Sequence, residues 1–496
     1  MTRNDNHDPS TFAKMAWRDQ VELAQDKQWL ASLLLHYGER LFQRFASFYD
    51  YLCSLPRRTR LKLQRKAALS VASAALMLAL SGAPLPAHAA SITVVNGEVV
   101  ISNNSQCSLR EAIINANNGV QTHTDCESGS VGADTINLPT GGTFTITDAF
   151  DVGDKQGLPV VSTEIIIEGN GATIQVSGVE ARILSTSTTG NLTLNNLTIK
   201  DGYLFGAGGY GYTDHGGGLY NNGVTIANNT TFTNNGGPNV FGGAIYNDRT
   251  GGSPSRGHLT LNNSTISGST AAHGAGIFNE GVITLNDSTL TGNSATSQGG
   301  GVRTRVESPV SAYFNRSIIS GNSAPTAAEI IVDSGSSAVA ANYNVFGDSS
   351  KTNASAFSSF TPSGSDVTAT SDGTDSTAIG SILNTSLADN GGPTNTHALV
   401  SGSPAVDTIP TSDGNCNPGT SLDQRGAARG NGSNQGGSAC DSGAFEYASS
   451  QTPTAIVIEG FTAHGENGAG AAAVGVTGLL ALLTGGWLVR GRKRKV

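Results

Sequence analysis

The sequence predicts an all-β protein: a right-handed parallel β-helix solenoid with an N-terminal cap, preceded by a helical export segment and followed by a transmembrane helix. Two recurring strings and the composition lead there. The first string is Leu194-Asn195-Asn196-Leu197-Thr198-Ile199, echoed by Leu261-Asn262-Asn263-Ser264-Thr265-Ile266, Leu285-Asn286-Asp287-Ser288-Thr289-Leu290 and Phe314-Asn315-Arg316-Ser317-Ile318-Ile319, with a looser copy over Ile226 to Phe232. The second alternates with it: Gly217-Gly218-Leu219-Tyr220-Asn221, Gly243-Ala244-Ile245-Tyr246-Asn247, Ala275-Gly276-Ile277-Phe278-Asn279 and the degenerate Gly300-Gly301-Val302-Arg303-Thr304. Gly reaches 64 of 496 residues while charged residues are 14% and aromatics 6%, which suits short stacked strands with tight corners better than a helical bundle.

Each string holds one or two aliphatic residues, too few to bury a core alone. Neighbouring copies lie 24 to 32 residues apart, within the period of a solenoid. Stacked as parallel strands about 4.8 Å apart, equivalent side chains meet directly. Leu219, Ile245, Ile277 and Val302 then form one inner column, Leu261, Leu285 and Phe314 a second, and Ile266, Leu290 and Ile319 a third. Asn195, Asn262, Asn286 and Asn315 are expected to stack as an amide ladder at a corner, each amide bonding the next. Gly after the strand permits a positive φ in the turn. A leucine-rich repeat would need a regular Leu consensus, and a calcium β-roll would need repeated Gly-Gly-x-Gly-x-Asp; neither pattern is present.

The segments around this body read as follows. Residues 1–56 form an extension with helical periodicity, from Leu30 through Leu34, Tyr37, Leu41, Phe45 and Phe48 to Leu52. Residues 57–90 carry the parts of a signal peptide. Arg57 to Lys66 is basic, an apolar run continues to about Ala83, and Ala87-His88-Ala89 gives the small-x-small pattern, so processing by export machinery is expected after Ala89 or Ala90. Residues 91–133 are the cap, 134–350 the β-helix, 351–390 further Ser/Thr-rich coils or a linker, 391–447 a C-terminal region and 448–468 a linker. In 469–496, an apolar run from Ala469 to Val489 is long enough to span a bilayer and ends in a basic tail that would stay inside. This layout puts the body outside the cell, held through the C-terminal helix or released after sorting.

Charge and cysteine usage agree with an exported body. Residues 91–489 carry 12 basic against 31 acidic side chains, which disfavours binding to nucleic acid. Cys53 precedes the export signal, and the four remaining cysteines form an even set. Local pairing, Cys107–Cys126 and Cys416–Cys440, is the economical arrangement. No Cys-x-x-Cys or His partner at zinc spacing accompanies them.

Several motifs resemble known families. Cys107-Ser108-Leu109-Arg110-Glu111-Ala112, with Ile113-Ile114-Asn115-Ala116-Asn117, is similar to the opening motif of CSLREA-domain proteins, as are Ala133 to Pro139 and Ile165 to Ile174. Residues 108–117 also read as a short amphipathic helix, with Leu109, Ala112, Ile113 and Ala116 on one face. Asn390 to Leu399, Gly402 to Asp407, Asp423-Gln424-Arg425-Gly426 and Cys440 to Tyr447 resemble the choice-of-anchor domain of bacterial surface proteins. The repeats themselves resemble those of pectate-lyase-like and polymorphic outer-membrane-protein-like β-helices. These resemblances imply a secreted or surface-anchored β-helix.

The chemistry legible in the sequence is sparse. A polysaccharide lyase needs clustered carboxylates for calcium and a basic residue, and a glycosidase needs two carboxylates at defined separation. The candidates are Asp214 and His215, Arg303 and Arg305, with Asp201 and Asp248; none belongs to a dense acidic cluster. His215 precedes three glycines, but no Gly-x-Ser-x-Gly elbow accompanies it. No cofactor is expected; Asp372, Asp375 and Asp413 could hold calcium weakly, though without EF-hand spacing. The reading that follows is a non-catalytic adhesin, or a carbohydrate- or matrix-binding protein. A pectate-lyase-like lyase or glycosidase, and a structural stalk or surface-layer element, are the alternatives.

Overall fold

The computed structural model describes residues 89–206, 214–249, 257–305, 311–418, 420–430 and 439–447. All lie in one compact unit, Met1–Tyr447. The extension over 1–56, most of the export signal, the 448–468 linker and the apolar run 469–489 fall outside the described residues. Among the described residues no helix is long and apolar enough to cross a membrane.

The chain winds as a parallel β-solenoid with three long sheets. In one coil, Asn191–Asn195 lies in the first sheet, Thr198–Lys200 in the second and Leu219–Asn221 in the third. The next coil repeats the order with Val224–Asn228, Thr231–Thr233 and Ile245–Asn247, and every strand pairs in parallel with its equivalent. Among the described residues the first and second sheets have nine strands each and the third has seven. Residues 351–390 continue the winding, since Phe357–Ser358 joins the third sheet and Val367–Thr368 the second.

Register converts the repeat into continuous buried columns. Ile167, Leu194, Ala227, Leu261, Leu285 and Phe314 line the first sheet. Ile199, Phe232, Ile266, Leu290, Ile319 and Phe346 line the second, and Leu184, Leu219, Ile245, Ile277, Val302 and Ile330 the third. All are withdrawn from solvent. At roughly 1.5–3 kcal/mol per fully buried aliphatic or Phe side chain, each column supplies stabilisation that one coil cannot generate alone.

Two ladders of amides run beside these columns. Asn195, Asn228, Asn262, Asn286 and Asn315 each donate to the preceding side chain at 2.6–2.8 Å, and the series ends on the Glu168 carboxylate. Asn228 belongs to the looser copy of the repeat. The residue after each ladder amide turns the corner in left-handed conformation: Asn196, Asn229, Asn263, Asp287 and Arg316 all have φ between 46° and 52°. Asn and Asp tolerate this region best, which accounts for the doubled Asn of the repeat. At the exit from the second sheet the left-handed residue is Asp201, then Asn234, then Gly268, Gly292 and Gly321. Asp201 is therefore a corner residue, where sequence reading offered it as a catalytic candidate.

The second ladder is internal. Thr186 donates to Asn221, Asn221 to Asn247 and Asn247 to Asn279, at 2.7–2.8 Å, and all four residues are buried. These Asn close the second string of the repeat.

The ends of the unit are built differently. A helix, Leu109–Asn118, carries a reciprocal capping box between Ser108 and Glu111 and ends on Gly119 in left-handed conformation. It buries Leu109, Ala112, Ile113 and Ala116 and packs against strands Asp134–Asn137 and Glu164–Glu168. Ser108, placed inside the helix by periodicity, is its N-cap. Disulfides join Cys107 to Cys126 and Cys416 to Cys440.

Residues 391–447 lie along the outer face of the second sheet. Gln424 donates to Thr231 at 2.8 Å and accepts from Thr265 at 2.6 Å, Arg429 donates to Asn263, and the Ala444 amide donates to Thr289. Phe445, Leu399 and Ala405 join Ile318 and Val345 of that sheet in a second apolar core.

Candidate functional site

The outer face of the third sheet gathers most of the candidate residues. Its outward position is occupied in successive coils by Tyr220, Tyr246, Phe278 and Arg303. The three rings stack at 5.4–5.5 Å, the Arg182 guanidinium lies over Tyr220 at one end, and Arg303 lies over Phe278 at the other. A second column, His215, Phe241 and His273, packs beside them, with His215 stacked 4.7 Å from Phe241 and 4.8 Å from Tyr246. Tyr220, Tyr246, Phe278 and Phe241 are each at most 9% exposed, so they are a packed layer and not an open stacking platform.

Charges are threaded through this layer in pairs. Tyr220 donates to Asp248, and Tyr246 donates to Glu280 at 2.8 Å. Arg305 and Arg249 approach Glu280 at 3.6 and 4.0 Å. Arg303 bonds Asp333 at 2.8 Å and His273 at 2.7 Å. Asp214 and Glu180 both hold Lys155, at 2.5 and 2.8 Å. Burial raises the carboxyl of Glu280 above its ordinary range. Burial depresses His215 to about 4, and burial with the neighbouring Arg303 does the same for His273. Nδ1 of His215 accepts the Phe241 amide at 3.3 Å, which places the neutral ring in the stack.

These positions bear on catalysis. Asp214 and His215 stand at one end of the layer and Arg303 at the other, three strand spacings or about 14 Å away. No common reacting atom lies within hydrogen-bond reach of both ends. Asp248 and Glu280 stand in the middle, where Tyr hydroxyls and arginines occupy them. The other suggested acids serve local turns. Asp372 accepts the Asn353 amide, Asp375 accepts from the Thr377 hydroxyl, and Asp413 accepts the Asn415 amide. Among the described residues no group of three or more His, Cys, Asp or Glu side chains is placed to hold a metal ion.

A feature that motif reading missed lies on the second sheet. Between the second sheet and the C-terminal region runs a cleft of about 600 Å³. Its floor is outward side chains of successive strands, among them Thr173, Gln175, Thr198 and Lys200, and its rim includes Thr385 and Asn395. Hydroxyls and amides dominate, and Lys200, which pairs with Asp201 at 3.3 Å, is the one charged group among the described lining residues. A shallower hollow of about 390 Å³ adjoins Asp201 and contains Glu180 and the 46% exposed ring of Tyr203. The available signal was the run of Thr at equivalent places in the first string, which puts hydroxyls in a row on one side of the sheet.

Comparison of the chain with protein-family models, with curated proteins and with solved structures finds no match.

Proposed function

We propose that the chain is an exported, surface-held protein whose body is a right-handed parallel β-helix, and that it binds an extended polysaccharide or matrix polymer without turning it over. Right-handedness follows from the strong preference of parallel crossover connections. Export and anchoring rest on the basic-apolar-Ala-x-Ala segment before residue 91 and on the apolar run with its basic tail after residue 468. The resemblance to CSLREA and choice-of-anchor proteins points the same way. The observation that carries the binding reading is the cleft beside the second sheet, a long groove lined mainly by repeated hydroxyl and amide groups, with Lys200 paired to Asp201 at its floor. Such a lining suits a ligand rich in hydroxyls, for which hydrogen bonds fix orientation.

The lyase and glycosidase readings draw less support, because Asp214, Arg303 and Arg305 are engaged in ion pairs and half-buried. A glycan-array and depolymerisation screen on the purified exported chain, with and without calcium, separates the cases. Binding without release of sugar is expected, and Lys200→Ala together with Gln175→Ala should weaken it about tenfold. Release of unsaturated or reducing sugar would overturn the reading in favour of an enzyme. No binding by a folded sample would move it to a structural stalk.

A further inference from the structure

Ala89 is exposed, and the chain enters the first sheet through Ala90 and strand Ser91–Thr93. The Ala90 carbonyl accepts from the Thr135 amide at 2.8 Å, and the Ala90 nitrogen donates to Oδ1 of Asp134 at 2.9 Å. Asp134 is the first residue of the next strand and is fully buried. Its other partners are the amide and hydroxyl of Ser130, both neutral. Among the described residues no Lys, Arg or His forms an ion pair with it. Burying a carboxylate without a cation is costly, and a buried charge is ordinarily paired.

We infer that Ala89–Ala90 is the processed bond, and that Asp134 is a built receptor for the α-ammonium of Ala90. This deepens the export reading and rests on it. Water adds across the peptide bond: Ala89 leaves as a C-terminal carboxylate, and the Ala90 nitrogen takes up protons to become an ammonium. The atom that donates one hydrogen bond as an amide then carries the positive charge that Asp134 lacks, in the place it already occupies. Cleavage one residue later would remove both the donor to Asp134 and the carbonyl that Thr135 bonds. The sequence left both bonds open; the position of Asp134 selects the first. Glu127, which accepts the Thr93 amide at 3.1 Å, adds a second carboxylate along the same strand. Leader removal would thus strengthen the seam between the first two strands of the first sheet.

The test is to express the full chain in a bacterial host that exports it, and to read the first residue of the exported protein by N-terminal sequencing and intact mass. A mature chain beginning at Ala90 is expected. One beginning at Ser91 or elsewhere overturns the inference and leaves export intact, whereas a chain retained with its leader attached overturns the export reading as well. On the exported wild-type protein, acylation of the N-terminal amine at pH 8 should run at least about tenfold slower than on an unstructured peptide amine, whose pKa is near 8. Asp134→Asn should restore the peptide-like rate while the fold is held by its other partners. A wild-type amine that labels as fast as the peptide overturns the pairing, whatever the variant does.

Discussion

The amide ladder on the first sheet and the aromatic layer on the third are built by the same repeat and solve opposite problems. Along the ladder, each inner Asn donates to one neighbour and accepts from the other, so identical side chains satisfy one another, the charge is confined to Glu168 at the end, and the column stays half-exposed. On the third sheet, stacking brings Tyr, His, Arg and acid together in a buried layer, where like groups cannot serve one another. Each charge there needs a partner from the side, and Asp333, Glu280 and Asp248 supply it. A solenoid thus copies amides cheaply and copies ions only with companions.

Phe278→Ala should break the contrast most strongly. It removes a ring stacked on Tyr246 and Phe241 and under Arg303, and a loss of about 3–5 kcal/mol is expected in denaturant unfolding. Asn247→Ala comes next, at about 2–3 kcal/mol, because it takes one hydrogen bond each from buried Asn221 and Asn279 and one from the Gly257 carbonyl. If instead it costs no more than a surface change, the internal ladder is not holding the third sheet.

Acidification should weaken the aromatic layer through its two histidines. His215 and His273 titrate near 4 when folded and near 6.5 when unfolded, so the unfolded chain takes up protons first and stability falls between about pH 6.5 and 4. Glu329, held up to about 7 by burial, works the other way, gaining its proton in the folded state first as pH drops from 7. His215→Phe keeps the stack and removes one titration, so its melting temperature should decline less than wild type over that window. Identical slopes would sink this account. The smallest effect belongs to Asn262→Ala, about 0.5–1 kcal/mol, since its neighbours remain reachable by water.

What could be read from the sequence followed the strength of the repeat. Leu261, Leu285 and Phe314 share a register because the string around them recurs with little change, and Asn228 escaped notice only because its copy is looser. The aromatic layer left a signal that was not used: Tyr220, Tyr246 and Phe278 sit before the Asn of the second string, and His215, Phe241 and His273 each precede a Gly. His215, a weak catalytic candidate beside Asp214, belongs to that periodic column. Of the cleft only the floor left a trace, in the Thr at equivalent places; its rim at Thr394 and Asn395 bonds to Asn229 and Thr231, 165 and 164 positions away along the chain, a pairing no local pattern announces.

The C-terminal region also decides how the molecule would bear a load. Gln424 ties together the coils of Thr231 and Thr265, Arg429 reaches Asn263, Ala444 reaches Thr289 and Gly443 reaches the Arg316 carbonyl. A pull on the chain at Tyr447 would therefore enter the middle of the stack from its flank, and several coils would share it in shear. A solenoid held only by its last coil would peel one turn at a time; this one is strapped like a coil of rope whose free end has been passed back across the windings.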